Sequence, residues 1–489
     1  MKNILKICTI IFTFLLFGMF SSCDKNFTDI NTSVDFVSKP NLDYELPVIE
    51  LTMEDKNYYT VSRNVAAFVS HLYDGYTYKS LITPDEDYMG EHFKWMYQNP
   101  LKTVADFIGY AQADPAKINY LCIGRILRVQ CFDLLTDCYG DIPYFEANKG
   151  YTDQIMKPKY DKQQDIYADM FKELTEATAA FDASKPIPNL SDIVYKGDIS
   201  KWKKFANSLM FRRALRRDNV DPANGKKYID QAIAGGLVES NDDNYTVYTQ
   251  PNVSNTTTAN GEMKVFISSS YVQKWRLSAP FVDSMKDRND PRLTVYSMLP
   301  TDPYSSYHDG DHTYSKQIGA QQFGGLPQSL KYYSTANINT FGRYDAPMIW
   351  LSYAEVQFNL AECVVRGIIS GDAKTYYENG VRAAMDELSA FGPDGIITSA
   401  QADAYLLANP YDPANALVMI NTQYWIETFS NWYECWANMR RTGIPDTYSS
   451  IDQTINANFG AALPRRLIYP SSEVIANPNV PDINDAMTR

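Results

Sequence analysis

Ile166-Tyr-Ala-Asp-Met170-Phe-Lys-Glu-Leu174-Thr-Glu-Ala177-Thr-Ala-Ala-Phe181 decides the fold class. Ile166, Met170, Leu174, Ala177 and Phe181 recur at spacings of three and four. That spacing puts them on one face of a helix, which must be buried against another element. Outward from this stretch the pattern repeats. Trp202, Phe205 and Leu209 stripe a second helix, and the loop Ala183 to Gly197, broken by Pro186 and Pro188, lies between the two. From about residue 41 to 220 the reading is helical throughout.

Towards the C-terminus, Ser352-Tyr-Ala-Glu355 reads as a capping box ahead of Tyr353, Val356, Leu360 and Cys363, with Gly367 placed to close the helix. Tyr376–Leu388 and Thr422–Met439 predict further helices, followed by a Pro-rich extended tail from Leu463. Residues 238 to 345 differ. Asn, Asp, Ser, Thr, Gly and Tyr dominate, and the expectation there is an irregular, loop-rich insert with one short hairpin. The fold class is therefore mainly α, built of successive helix pairs.

The first 22 residues read as a signal peptide: Lys2 and Lys6, then an apolar run from Ile7 to Phe20, then small residues. A spanning helix needs about 20 apolar residues, and this run is shorter. Phe20-Ser21-Ser22-Cys23 resembles a bacterial lipobox, which makes Cys23 the acylated N-terminus and residues 23–40 a lipidated tether. Residues 41–489 then form a single domain. The other cysteines after the leader (Cys122, Cys131, Cys138, Cys363 and Cys435) read as small buried hydrophobes. Cys131 and Cys138, seven apart on a helix, stand about 10 Å from one another, beyond disulfide reach.

The 489 residues carry 45 Lys+Arg and 58 Asp+Glu, a formal net charge of −13. Such a chain lacks the basic footprint of a nucleic-acid binder and disfavours anionic ligands unless a local basic pocket intervenes. The basic run Lys201 to Arg217 reads as a solvated helix face paired to nearby acids. No nucleophile elbow, zinc-protease helix, P-loop or dinucleotide fingerprint occurs, and four histidines leave little room for a His-based site. No cofactor is expected. The one metal-like cluster is His308, Asp309, Asp311 and His312, for which a solvated turn is the plainer reading. Pairs of carboxylates suited to glycoside hydrolysis cannot be recognised from sequence.

Ordered motifs add a resemblance. Asp137-Cys-Tyr-Gly-Asp-Ile-Pro-Tyr-Phe-Glu-Ala147 is similar to a motif of the SusD/RagB family of Bacteroidetes outer-membrane lipoproteins, with Tyr139 where tryptophan is usual. Pro158–Asp161, Tyr195–Asp198 with Trp202, Asn289–Leu293, Tyr353–Glu355, Arg440–Pro445 and Pro464–Pro470 follow in the family's order. Trp432 stands where a glycine is common. The resemblance implies a body of TPR-like helix pairs. It also implies a non-catalytic, lipid-anchored protein facing the cell exterior, which captures a glycan and delivers it to a SusC-like TonB-dependent transporter. A peptide ligand and a surface α-helical glycosidase are the alternatives.

Sugar rings present apolar C–H faces on which flat aromatic rings stack. Aromatic residues in polar, non-periodic stretches are therefore the binding candidates. Tyr73, Asp74, Tyr76 and Tyr78, with Trp95 beyond, come first. Tyr304, Tyr307 and Tyr314 around the His/Asp turn are second, and Trp275 beside Arg276 is third.

Overall fold

The computed structural model describes residues 41–53, 64–74, 86–250, 266, 275–301, 309–321, 330–448 and 463–481. The expected signal peptide, Cys23 and the tether lie outside these residues. Leu42–Arg489 cluster as one compact unit, and Met1–Asn41 as another.

The larger unit is mainly helical. Its first half comprises α1 (Leu42–Thr52), α2 (Glu91–Gln98), α3 (Pro100–Gln112), α4 (Ile118–Tyr139), α5 (Gln163–Ala180), α6 (Ile199–Asp218) and α7 (Pro222–Gly235). Neighbours in sequence pack as pairs: α3 on α4, α4 on α5, α6 on α7. The hub is α4, buried on nearly every side. It ends where Gly140 turns the chain at φ +81°, its N–H bonded to the Thr136 carbonyl at 2.7 Å. The stripe Ile166, Met170, Leu174 and Ala177 is buried as its spacing predicts.

The Pro-rich loop before α6 is ordered by one buried carboxylate. Asp192 accepts from the N–H groups of Val194, Tyr195 and Gly197, and from the indole of the fully buried Trp202 at 2.7 Å. Asp198 then caps α6 by accepting from the Ser200 and Lys201 N–H groups.

The second half brings α8 (Ala279–Lys286), α9 (Tyr353–Val365), α10 (Ala373–Asp386), α11 (Ser399–Ala408), α12 (Ala416–Glu427), α13 (Trp432–Thr442) and α14 (Ser471–Ala476). Here α9 packs on α10 and on α12. Two expectations change. The helix predicted over Thr422–Met439 is two, because Ser430 turns to φ +80° between α12 and α13. The capping box at Ser352 is half made. Ser352 accepts from the Glu355 N–H at 2.9 Å, but the Glu355 carboxylate pairs with Arg212 instead of returning to the backbone.

The hairpin expected in 238–345 is replaced by long-range pairs. The strands are β1 (Leu72–Asp74), β2 (Tyr245–Val247), β3 (Trp275–Leu277), β4 (Ser297–Met298), β5 (Thr335–Ala336) and β6 (Met348–Leu351). Among the described residues they form three antiparallel pairs: β1–β3, β2–β6 and β4–β5. The irregular region is thus stitched to the helical body at both ends.

The basic run on α6 is paired, as expected, but its second half is not solvated. Arg212 and Arg213 are buried and Arg216 nearly so. Arg212 pairs with Glu355 and Glu434, Arg213 with Asp133, and Arg216 with Asp137 and Glu434. These acids come from α4, α9 and α13, so the ion network clamps four helices. Tyr139 and Trp432, the departures from the family pattern, are both buried packing residues. Tyr139 donates to the Met89 carbonyl and accepts from the Phe93 N–H. The five cysteines from Cys122 onward are free thiols, all buried.

Candidate ligand-binding surface

β1 and β3 pair in the register Leu72↔Leu277, Tyr73↔Arg276 and Asp74↔Trp275. This pairing brings together two of the three aromatic groups singled out in sequence, although some 200 residues separate them. Two further segments join. Leu277 N–H donates to the Ser334 carbonyl, Ser334 N–H to the Ile318 carbonyl, and Ala320 N–H to the Leu277 carbonyl, all at 2.8 Å. Ser278 then caps α8 through the Phe281 N–H, while its hydroxyl donates to the Ser70 carbonyl.

Over this platform Tyr73, Ala320 and Tyr333 form a small apolar cluster, separate from the main core, with Leu330 packed against it. Arg276 lies buried beneath. Its guanidinium donates to the Leu330 and Trp275 carbonyls, each at 2.7 Å. Burial pushes it down to about 10, because carbonyl dipoles replace water only in part. The residues flanking three segments outside the described structure (75–85, 267–274 and 322–329) all belong to this platform.

The individual candidates fall out as follows. Tyr73 is 4 % exposed and Trp275 1 %, so neither ring face is open to a sugar; both brace the platform from within. Asp74 is the last residue of β1. Tyr76, Tyr78, Tyr304, Tyr307 and His308 lie outside the described residues. Trp95 is partly buried on α2, and its indole donates to the Thr52 carbonyl at the end of α1. Tyr314 is half-buried away from the platform, its hydroxyl bonded to the Met285 carbonyl at 3.1 Å.

The metal-like turn folds its carboxylates inward on itself. Asp309 pairs with His312 and Asp311 with Lys316, both at 2.6 Å. The His312 contact, and for Asp311 the Lys316 contact, hold these carboxyls below their ordinary values. Among the described residues no group of His, Cys, Asp or Glu is placed to hold a metal ion.

One ring was missed. Tyr332 is 49 % exposed, beside the cluster, with the Lys331 ammonium 5.0 Å from its ring centroid. Leu330-Lys-Tyr-Tyr-Ser334 has the same aromatic-in-polar character as the other candidates, and that signal alone marks it. A half-open ring on a hydrogen-bonded platform, with a cation at its edge, can stack on a pyranose face and bond its hydroxyls.

Gly319 sets how closely the platform packs. A Cβ there would lie 2.4 Å from the Ser278 carbonyl oxygen and from the Ala279 Cα, which are backbone atoms that cannot yield. Gly319→Ala is therefore expected to cost about 1–3 kcal/mol by overpacking, read as a lowered thermal midpoint.

Known structures resemble this arrangement along its length. A chitin-binding protein is 31 % identical, with a TM-score of 0.75 over 90 % of this chain and 94 % of that one. A SusD-like protein from Bacteroidetes is 27 % identical, with a TM-score of 0.78 over 89 % and 95 %. A SusD homologue from Bacteroides fragilis shares the fold at 22 % identity, with a TM-score of 0.73 over 91 % and 99 %. No curated protein sequence matches the chain. No helix among the described residues is long and apolar enough to cross a membrane. Residues 46–470 match the family model described as starch-binding and associating with the outer membrane, so the chain belongs to the SusD-like family of nutrient-binding outer-membrane proteins.

Proposed function

We propose that this protein is a non-catalytic glycan receptor. In this reading it is anchored through Cys23 on the outer face of the outer membrane and passes its ligand to a SusC-like TonB-dependent transporter. The observation that carries the reading is the 31 % identity, along nine-tenths of the chain, to a chitin-binding protein. The open ring of Tyr332 supplies the stacking surface, and the platform under it supplies rigidity. The aromatic residues at 76, 78, 304 and 307 are the further contacts proposed, together with Asp74. A neutral β-1,4-linked N-acetylglucosamine oligomer is the first ligand to test, with an α-glucan second, after the family's description. The net charge of −13 favours a neutral polymer over an anionic one at this surface.

Affinity electrophoresis of the full chain in non-ionic detergent, through gels containing glycol chitin or amylopectin, tests the reading. Reducing-sugar release is followed in parallel. Retardation without sugar release is the expected result, and Tyr332→Ala should weaken it about tenfold, the loss of one stacking contact of roughly 1.4 kcal/mol. Retardation that Tyr332→Ala leaves unchanged removes the ring from the site. Sugar release overturns the non-catalytic reading, and indifference to both polymers turns the search to peptides. Co-purification with a TonB-dependent barrel from outer-membrane extracts tests the hand-off.

A further inference from the structure

A chain with a net charge of −13 nevertheless builds one strongly basic cleft. It has a volume of about 780 Å³ and opens where α4, α6 and α13 end against the extended segment 463–470. Six arginines line it, against the carboxylates of Asp137 and Asp221. Three of the six are answered by acids: Arg216 by Asp137 and Glu434, Arg217 by Asp221, and Arg441 by Glu362. The other three, Arg440, Arg465 and Arg466, form no ion pair among the described residues.

These three are held in place by the backbone. The Arg440 guanidinium lies 3.9 Å from the centroid of the Trp436 ring and donates to the Arg465 carbonyl at 2.6 Å. Arg465 returns a bond to the Arg440 carbonyl at 3.3 Å, so the two clasp through main-chain oxygens. Arg466 lies over Gly140, where a Cβ would come within 2.9 Å of its guanidinium carbon. The segment that carries them is fixed by the Leu467 N–H on the Cys138 carbonyl, the Trp436 indole on the Pro464 carbonyl, and the Tyr469 hydroxyl on the Asp141 carbonyl.

Cations at helix C-termini complement the helix dipole, which explains Arg216, Arg217, Arg440 and Arg441. It does not explain Arg465 and Arg466, which sit on an extended segment. Holding like charges together without a counter-ion is costly. Burial, together with the neighbouring Arg216, already drives the Arg440 guanidinium below its ordinary value. The fork of an arginine matches the two oxygens of a carboxylate, sulfate or phosphate, and the volume is that of a small-molecule site.

We infer that this cleft binds a small oxyanion-bearing molecule through Arg440, Arg465 and Arg466. The inference is independent of the glycan reading, because its residues come from other elements than the platform around Tyr332. Titration calorimetry of the full chain in non-ionic detergent at low salt tests it, first with inorganic phosphate and sulfate. Saturable binding with one site per chain is expected. Arg465→Met and Arg466→Met should each weaken it about tenfold, and their combination should abolish it. Arg465 is exposed and makes only a carbonyl contact, so Arg465→Met is expected to melt with the parent chain and separates binding from folding. Glucose 6-phosphate and glucuronate distinguish the source. Tighter binding than phosphate identifies an anionic sugar, whereas equal binding identifies the free anion. Absence of saturable binding to all four, or binding unchanged in the double variant, overturns the inference.

Discussion

Glu434→Ala is expected to remove about 3–5 kcal/mol of folding stability, the largest effect of any single change proposed for this chain. Glu434 Oε1 accepts from Arg216 at 2.5 Å and from the Tyr424 hydroxyl at 2.8 Å, and Oε2 faces Arg212 at 3.4 Å. Burial alone would raise this carboxyl. The two guanidinium groups outweigh burial and hold it below the ordinary carboxylate range. Removing it leaves Arg212 with Glu355 and Arg216 with Asp137, and a net positive charge inside the fold. The cost is that of an uncompensated buried charge rather than of a lost contact. Glu434→Gln, which keeps an acceptor, should cost less than Glu434→Ala. The double variant Arg216→Met/Glu434→Met should recover part of the loss, because it removes charge of both signs. Urea denaturation of the four proteins reads all of this. A Glu434→Ala midpoint within 1 kcal/mol of the parent would mean that the network does not hold the helices.

That network also shows what the sequence could not announce. The stripe Ile166–Met170–Leu174–Ala177 was legible because burial of one helix face imprints a period on local sequence. Arg212, Arg213 and Arg216 were misread as solvated because their partners, Asp133, Asp137, Glu355 and Glu434, lie about 80 to 220 residues away. No local pattern reports a partner at that distance. The same holds for the surface proposed to bind ligand. Strands of three residues carry no usable period, so nothing foretold that Asp74 would meet Trp275. Aromatic residues in polar surroundings did point to the right neighbourhood. Which ring is buried and which is open depends on packing, and packing inverted the order: Tyr73 and Trp275 are inside, Tyr332 is out. The arginine cleft was invisible for a further reason. A net charge averages over the chain, and a −13 total conceals a site built from the ends of three helices and a tail.

Acid should weaken this fold through His71, and the sign follows from its surroundings. The imidazole is fully buried, with ring centroids of Phe281 at 4.6 Å, Trp425 at 4.9 Å and Phe429 at 5.5 Å. Burial lowers it from 6.5 to about 3. Between those two values the unfolded chain binds a proton that the folded chain refuses. The contribution of His71 is therefore complete above about pH 6.5 and is lost as pH falls towards 3, by about 1.4 kcal/mol per pH unit. Other buried carboxyls titrate in the same range, so the comparison must be with His71→Phe, which keeps the ring and removes the proton site. Urea midpoints of both proteins at pH 7, 6, 5 and 4 should diverge by that slope. Parallel curves would mean that His71 is not held neutral. The backbone of His71 accepts from the Ser278 N–H at 2.9 Å, and Ser278 both caps α8 and ties it to Ser70. Protonating this ring in the core would therefore loosen the joint on which β1, β3 and the Tyr332 platform rest. Ligand affinity in the parent chain should then fall with acid before the helical body unfolds, and in His71→Phe it should not.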